Sequence, residues 1–358
     1  MKAILVELAS PFGPAAGVAH RLRDDAARLQ FAVMAYITAD TGIFDEIGHA
    51  FSAVGHASVA IGDGALDLMR GKGVVAAWQD ILADDPGLVD FVANYSALGT
   101  IERAFGGYYP DGHAVVHDLG IDSRAAVSTP PRNLADLVRG LAVRYDGAAG
   151  EISVAFVIDA DGVRRAIVDI PGTKSWDPLP ASDVTSLSTN ARALVGAPTS
   201  YEQGVLIAMA RAGVRPTDAV MLVGHSEGGM VAVNAARDAV RSERFNITHV
   251  VTAGSPIGHT AGGLPARVRV LALENDTDIV PHADGCSNPD RRNITTVTVH
   301  HGDGSIIDDH DLRDSYAPGA HDADVSGNAS VRDFVDSAND FLDGTTERTH
   351  AYLVTRSY

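Results

Sequence analysis

The sequence of 358 residues contains a single cysteine, Cys286, which excludes an intrachain disulfide and any metal site built from several cysteines. It also lacks an apolar run near the ~20 residues that a membrane helix needs, so no integral membrane segment is expected. The first residues, MKAILVELASPFGPAAG, hold only a short apolar run and no cleavage pattern, so no signal peptide is visible. These absences predict a soluble, cytoplasmic protein, with non-standard export left open.

Positive charge is also scarce, because 28 Lys and Arg stand against 46 Asp and Glu, giving a net charge of -18. Nucleic acid and anionic membrane surfaces both favour a basic face, so neither is expected as a partner. The length and the hydrophobic content of 46% are those of a globular protein with one large core and an additional module.

Residues 1–106 have few strand signals and space their apolar residues three and four apart, which predicts several amphipathic helices. We interpret them as an all-α module that forms either a cap or a docking surface for a second copy or a protein partner. The segment FGGYYPDG, Phe105 to Gly112, is the predicted linker. The second domain then covers residues 107–358.

That second domain alternates strand and helix patterns, which predicts a mostly parallel sheet with helices on both faces. A hairpin turn at Asp159–Gly162 joins the first two predicted strands. The predicted strands are 152–158, 165–170, 219–223, 247–253, 268–273 and 294–299, and the predicted helices are 133–145, 201–212, 228–240 and 331–342, the last closing the chain.

The stretch LVGHSEGGMVA, Leu222 to Ala232, contains the G-x-S-x-G spacing of a nucleophile elbow centred on Ser226. An apolar strand pattern precedes Ser226 and a helical pattern follows it, which is the setting that the motif requires. Gly224 and Gly228 leave room for the strand and the helix to approach closely. The alternative is a glycine-rich turn in which Ser226 has no chemical role.

A serine nucleophile needs an acid and a base, and in this architecture both follow it along the chain. The loop after the strand at 268–273 offers Glu274, Asp276 and Asp278 as competing acids. Beyond the last predicted strand, His310 has a loop before it and a helical pattern after it, which makes it the preferred base. His321 is the second choice, while His300 and His301 come directly at the strand end.

An oxyanion hole requires N–H donors beside the nucleophile. The expected donors are the N–H of Glu227 and one from the segment Val168–Trp176, where Gly172 and Thr173 follow a strand. A plain Pro-Gly turn is the alternative for that segment.

With these segments in order, the sequence resembles the α/β-hydrolase superfamily, and the class 3 (fungal-type) lipases within it. GHSEGG is similar to the GHSxGG elbow of that family, and VTAGSPIG to its TFGSPRVG strand end. NDTDIVP is similar to the NDxVP acid loop, which implies Asp278 as the acid. PGTKSW is similar to the RGTxS loop, which implies Thr173, with its hydroxyl, as an oxyanion residue.

Two departures accompany the resemblance, which spans roughly residues 150–345. The family spacing H-x-x-x-x-Y has one extra residue between His310 and Tyr316, and Pro171 replaces the arginine of RGTxS. The helical region 1–106 lies outside the lipase pattern and resembles the extra segment that precedes the hydrolase domain in uncharacterised actinobacterial hydrolases.

The resemblance implies an α/β-hydrolase fold and a serine esterase that needs no cofactor. Ser226 would attack the carbonyl of a small or lipid-like ester, His310 would take its proton and Asp278 would orient His310. A thioesterase, lactonase or amidase with the same triad stays open, as does a non-catalytic binding protein on this scaffold.

The segment Asp322–Asp333 matches the D-x-D-x-S-G-x₅-D spacing of a calcium loop. The competing interpretation is preferred, because Ser326 and Asn328 are natural N-cap residues for the helix that follows. No metal site is therefore expected.

Overall fold

The computed structural model describes residues 111–122, 124, 130–174, 182–278, 280–282, 284, 286–302 and 309–358. The predicted helical module 1–106 lies outside these ranges, as does the predicted linker up to residue 110. The expected cap or docking role of the module therefore stays a prediction.

Within the described residues, one sheet of eight strands forms the centre of the fold, in the order β1-β8-β2-β3-β4-β5-β6-β7. The strands are β1 His113–Ile121, β2 Glu151–Ile158, β3 Arg164–Ile170, β4 Ala219–His225, β5 Asn246–Ala253, β6 Arg269–Asn275, β7 Ile294–Val299 and β8 Thr345–Ser357.

The sheet is mixed, and this refines the expectation of a mostly parallel one. The five strands from β3 to β7 run parallel to one another. The pairs β2–β3, β2–β8 and β1–β8 are antiparallel. The hairpin at Asp159–Gly162 accounts for the first of these pairs, because a tight turn joins only antiparallel strands.

Helices cover both faces of the sheet. They are α1 Leu134–Ala142, α2 Leu187–Leu194, α3 Ser200–Ala212, α4 Glu227–Arg241, α5 Gly258–Ala261, α6 Ala317–Val325 and α7 Ala329–Leu342. Shorter turns are the 3₁₀ segments Val143–Asp146 and Val280–His282 and the π segment Leu312–Tyr316. None of the described helices is long and apolar enough to cross a membrane.

Two hydrophobic clusters form because consecutive strand residues point to opposite faces. Leu222 packs with α2, α3 and α4 on one face, and its neighbour Met221 packs with α1, α6 and α7 on the other. Strand β4 is buried along all but its first residue, Ala219, as a strand covered on both faces should be.

The prediction that a helix closes the chain is wrong, because β8 follows α7 and pairs between β1 and β2. Its sequence, TTERTHAYLVTRS, mixes charged and apolar residues, so the period-2 pattern is weak. Arg356 is buried in this strand and forms an ion pair with Asp111. In the sequence, a charged residue that is buried with a partner cannot be told from a surface residue, so this strand was not recognised. Strand β1 and helices α2 and α5 were also not predicted, whereas the π segment and α6 follow His310, where a helical pattern was expected.

The segment with the calcium-loop spacing covers the end of α6, the linking residues 326–328 and the start of α7. Asp322 lies in α6 and contacts His301 at 2.7 Å, while Asp324 accepts the N–H groups of Leu134 and Ala135 at the start of α1. Asn328 is the N-cap of α7 and accepts from Ser330 and Val331. The preferred N-cap interpretation of Asn328 is thus confirmed.

Candidate active site

The predicted chemical residues follow the carboxyl ends of parallel strands. Thr173 comes after β3, Ser226 after β4, Asp278 after β6 and His310 after β7. Because parallel strands place their carboxyl ends at one edge of a sheet, these four residues belong to one edge.

Ser226 stands between β4 and α4 with φ 54° and ψ -126°. A positive φ is uncommon for a residue with a side chain, and such strain concentrates at functional sites. Its N–H donates to the carbonyl of Ala253 at 3.0 Å, and its own carbonyl accepts from Gly229 at 3.1 Å. These bonds hold the turn, and the Ser226 hydroxyl, which is buried, makes no hydrogen bond to another described residue.

The glycine after the nucleophile is required by close packing, as the spacing suggested. A Cβ atom on Gly228 would lie 2.0 Å from the carbonyl oxygen of Ile170. The first turn of α4 therefore rests directly on the end of β3, next to the predicted oxyanion loop.

The predicted acid and base are in contact. Oδ2 of Asp278 lies 2.6 Å from Nδ1 of His310, and both side chains are almost fully buried. A carboxylate only accepts hydrogen bonds, so Nδ1 carries the proton and Nε2 is the nitrogen with basic character.

Asp278 is further held by two neighbours. Tyr316 donates its hydroxyl to Oδ2 at 2.6 Å, and the N–H of Val280 donates to Oδ1 at 2.8 Å. Burial, followed by the charge of Asp278, raises the pKa of Tyr316 well above its ordinary value, so the phenol stays protonated. Tyr316, which follows His310 with one residue more than the family spacing, thus contacts the predicted acid, Asp278.

The rival acids and bases have other partners. Glu274 accepts from Asn288 at 2.6 Å, and Asp276 contacts the exposed His300 at 2.7 Å. His301 contacts Asp322, as described above. His321 is an exposed residue of α6.

Two further residues position His310. The side-chain amide of Asn275 donates to the carbonyl groups of Asp309 and His301, and its oxygen accepts from the N–H of His301 at 3.1 Å. Gly254 has φ +59°, and a Cβ atom there would lie 2.9 Å from Cε1 of His310. Glycine at this position therefore allows the imidazole to pack against the end of β5.

On the other side of Ser226, the Thr173 hydroxyl donates to Oε2 of Glu227 at 2.7 Å and accepts from Asn190 at 2.6 Å. The expected hydroxyl donor to a ligand is thus directed at Glu227, because a hydroxyl has only one proton. The predicted oxyanion hole therefore depends on the backbone N–H groups of Thr173 and Glu227. A Cβ atom on Gly172 would lie 2.8 Å from Cβ of Ser226, so this loop contacts the nucleophile turn.

Lys174 anchors the same loop. Its ammonium donates to the carbonyls of Arg144, Tyr145 and Gly147 at 3.2, 2.9 and 2.8 Å. Burial lowers the pKa of Lys174, and the three carbonyls satisfy its three donors.

Sequence reasoning missed several of these neighbours, namely Tyr145, Asn190, His225 and Asn275. Each contacts the site through a fold that brings together distant segments, and no local spacing marks Tyr145 or Asn190. Asn275 and His225 do carry a signal, since each is the last residue of a strand that leads into a predicted site residue.

Within the described ranges, His, Cys, Asp and Glu side chains form no group of three that could hold a metal ion. The polar groups at this edge instead form the Ser226 turn, the contact between Asp278 and His310, and the loop that Lys174 anchors.

No protein-family model matches the chain, and no curated protein matches it. Among solved structures, an esterase from Pyrobaculum calidifontis is similar at 11% identity and a TM-score of 0.26, over 70% of this chain and 99% of that one. Carboxyl esterase 2 from Tuber melanosporum is similar at 10% identity and 0.26, over 65% and 86%. A bacterial heroin esterase is similar at 12% identity and a TM-score of 0.24, over 70% of this chain and 92% of that one. TM-scores this low carry no weight for the fold or the activity of this chain.

Proposed function

We propose that this chain is a serine hydrolase of the α/β-hydrolase type that cleaves carboxylic esters through an acyl-enzyme intermediate. The observation that carries the proposal is the strained Ser226 turn at the same sheet edge as the buried Asp278–His310 contact. The chain order Ser, Asp, His is the order of that architecture. The finer resemblance to class 3 lipases rests on the GHSEGG, NDTDIVP and PGTKSW segments.

In the proposed reaction, Nε2 of His310 removes the hydroxyl proton while Oγ of Ser226 attacks the ester carbonyl. Asp278 keeps the imidazole in the required tautomer and stabilises the imidazolium that forms. The imidazolium then gives its proton to the leaving alcohol. Water, deprotonated by the same nitrogen, attacks the acyl-serine and releases the acid with the free serine.

The carbonyl oxygen becomes negative in both steps. In the proposal it is bound by the N–H groups of Thr173 and Glu227, the second of which lies in the first turn of α4, at the positive end of the helix dipole. Each such donor typically contributes about 3 kcal/mol in the transition state.

The test is Ser226→Ala assayed with a short p-nitrophenyl ester, together with labelling by a fluorophosphonate probe. We expect a loss of kcat of about 10⁴-fold or more and complete loss of labelling. Ser242→Ala, at the far end of α4, is the matched control and should keep both. Turnover near that of the unmodified chain in Ser226→Ala would contradict the proposal. A panel of ester, thioester, lactone and amide substrates then identifies the preferred bond.

A further inference from the structure

The hydroxyl of Tyr145 lies between the oxyanion loop and the strand that leads to the nucleophile. It accepts the N–H of Gly172 at 2.7 Å and lies 2.5 Å from Nδ1 of His225. Because an amide N–H can only donate, the single proton of Tyr145 is left for His225. Nδ1 of His225 is therefore the acceptor.

The other ring nitrogen of His225 faces the base. Nε2 lies 3.0 Å from the backbone carbonyl oxygen of His310. A carbonyl oxygen only accepts, so Nε2 carries the proton, and both contacts assign the same neutral tautomer. Burial, and after it the charge of His310, lowers the pKa of His225 well below its ordinary value, while the bond to the His310 carbonyl opposes this. His225 thus stays neutral when His310 becomes charged.

The groups joined in this way belong to all three parts of the site. Gly172 directly precedes Thr173, His225 directly precedes Ser226, and the carbonyl belongs to His310 itself. The rings of His225 and His310 also pack together, with centroids 4.5 Å apart. The hydrogen-bond chain from Gly172 through Tyr145 and His225 to His310 therefore connects the oxyanion loop, the residue before Ser226 and the base.

We infer that Tyr145 and His225 are positioning residues that hold the oxyanion loop and the base in register around Ser226. This inference rests on the proposed function. A base or an oxyanion donor displaced by about 1 Å can cost about 100-fold in rate. Because these groups act on the transition state, the loss should appear in kcat and leave KM nearly unchanged.

The first experiment compares Tyr145→Phe with Tyr352→Phe, using a short p-nitrophenyl ester. Both changes remove one hydroxyl from a tyrosine, but Tyr352 lies in β8, outside the site. We expect Tyr145→Phe to lower kcat about 10- to 100-fold with KM within about twofold, and Tyr352→Phe to keep the original kcat. A kcat for Tyr145→Phe within twofold of the original would overturn the inference.

The second experiment uses His225. Phenylalanine keeps the ring but removes both hydrogen-bonding nitrogens, whereas glutamine offers one donor and one acceptor. His225→Phe should lose about as much kcat as Tyr145→Phe, and His225→Gln should recover a large part of it. Because the two residues act as one unit, the double variant Tyr145→Phe/His225→Phe should lose little more than either single variant. Fully additive losses, or no recovery by glutamine, would contradict the inference.

A third measurement is independent of turnover. In the ¹⁵N-histidine-labelled chain, the His225 resonances are identified by their absence in His225→Gln. We expect a protonated Nε2 and an unprotonated Nδ1, and the reverse tautomer would overturn the inference. If Ser226→Ala stays active while this tautomer is found, the proposed function fails and the hydrogen-bond geometry stands. If Ser226→Ala is inactive but Tyr145→Phe is unaffected, the inference alone fails.

Discussion

The two sides of the candidate site are built from different chemistry. On the base side, Asp278 is bound by His310, Tyr316 and the backbone of Val280, and the half-buried Glu274 lies close by. On the oxyanion side, Thr173 and Asn190 donate to Glu227, and the ammonium of Lys174 anchors the loop.

In the proposed reaction the two sides stabilise opposite charges, and the difference between them follows from this. Carboxylates near the base favour the imidazolium that forms there, so a surplus of negative charge is useful. On the oxyanion side a negative charge forms on the substrate, and a carboxylate one residue after Ser226 would oppose it. Thr173 and Asn190 donate hydrogen bonds to the Glu227 carboxylate, which stabilises its charge and ties the loop in place at the same time.

The largest expected effect is on the base side. Asp278→Asn should reduce kcat about 10⁴-fold, because the amide can donate to Nδ1 and stabilise the wrong tautomer of His310. His310→Ala should lose at least as much. The measurement is steady-state hydrolysis of a short p-nitrophenyl ester.

The matched controls for these changes are the rival residues. Asp276→Asn removes the carboxylate that contacts His300, and His321→Ala removes the second candidate base. Both should keep kcat within about twofold. A large loss in either control, with activity retained in Asp278→Asn, would assign the acid or the base to the rival residue.

The sequence predicts the base side better than the oxyanion side, and the reason is physical. Ser226 and Asp278, the predicted nucleophile and acid, lie shortly after strands, where local spacing is visible, and the strands β4 to β7 were predicted within about two residues of their bounds. The role of a side chain such as Tyr145, which follows α1 and meets Gly172 and His225, depends on packing between distant segments. No local pattern encodes that contact, nor does one encode the buried ion pair that places β8 inside the sheet.

A smaller effect should follow from changing Glu227 on the oxyanion side. Glu227→Ala removes the acceptor of the Thr173 hydroxyl and leaves a gap in a fully buried position. We expect kcat to fall about 10- to 100-fold through displacement of the loop, with a lower Tm from the lost packing. Activity and thermal unfolding are measured on the same preparations.

Glu227→Gln is the conservative variant, since its amide oxygen still accepts from Thr173 and its volume is almost unchanged. It should keep kcat within about tenfold. Equal and large losses in both variants would indicate that the charge of Glu227, rather than its anchoring of Thr173, matters on this side.

The smallest effect concerns pH on the base side. Burial, followed by the charge of Asp284 and, less strongly, of Asp278, raises the pKa of Glu274 to about 7, while the hydrogen bond from Asn288 lowers it. A carboxyl whose pKa is raised in the folded protein contributes stability that is present below its unfolded pKa and is lost as pH rises through about 7. Glu274→Gln should therefore gain Tm relative to the original chain between pH 5 and pH 8, by about 2–4 °C for each kcal/mol removed.

Ionised Glu274 also favours the imidazolium, so the acid limb of the kcat/KM profile should shift to lower pH in Glu274→Gln by roughly 0.3 unit. An unchanged Tm difference across this range, or a shift of the limb to higher pH, would show that Glu274 does not act on the base side through its charge.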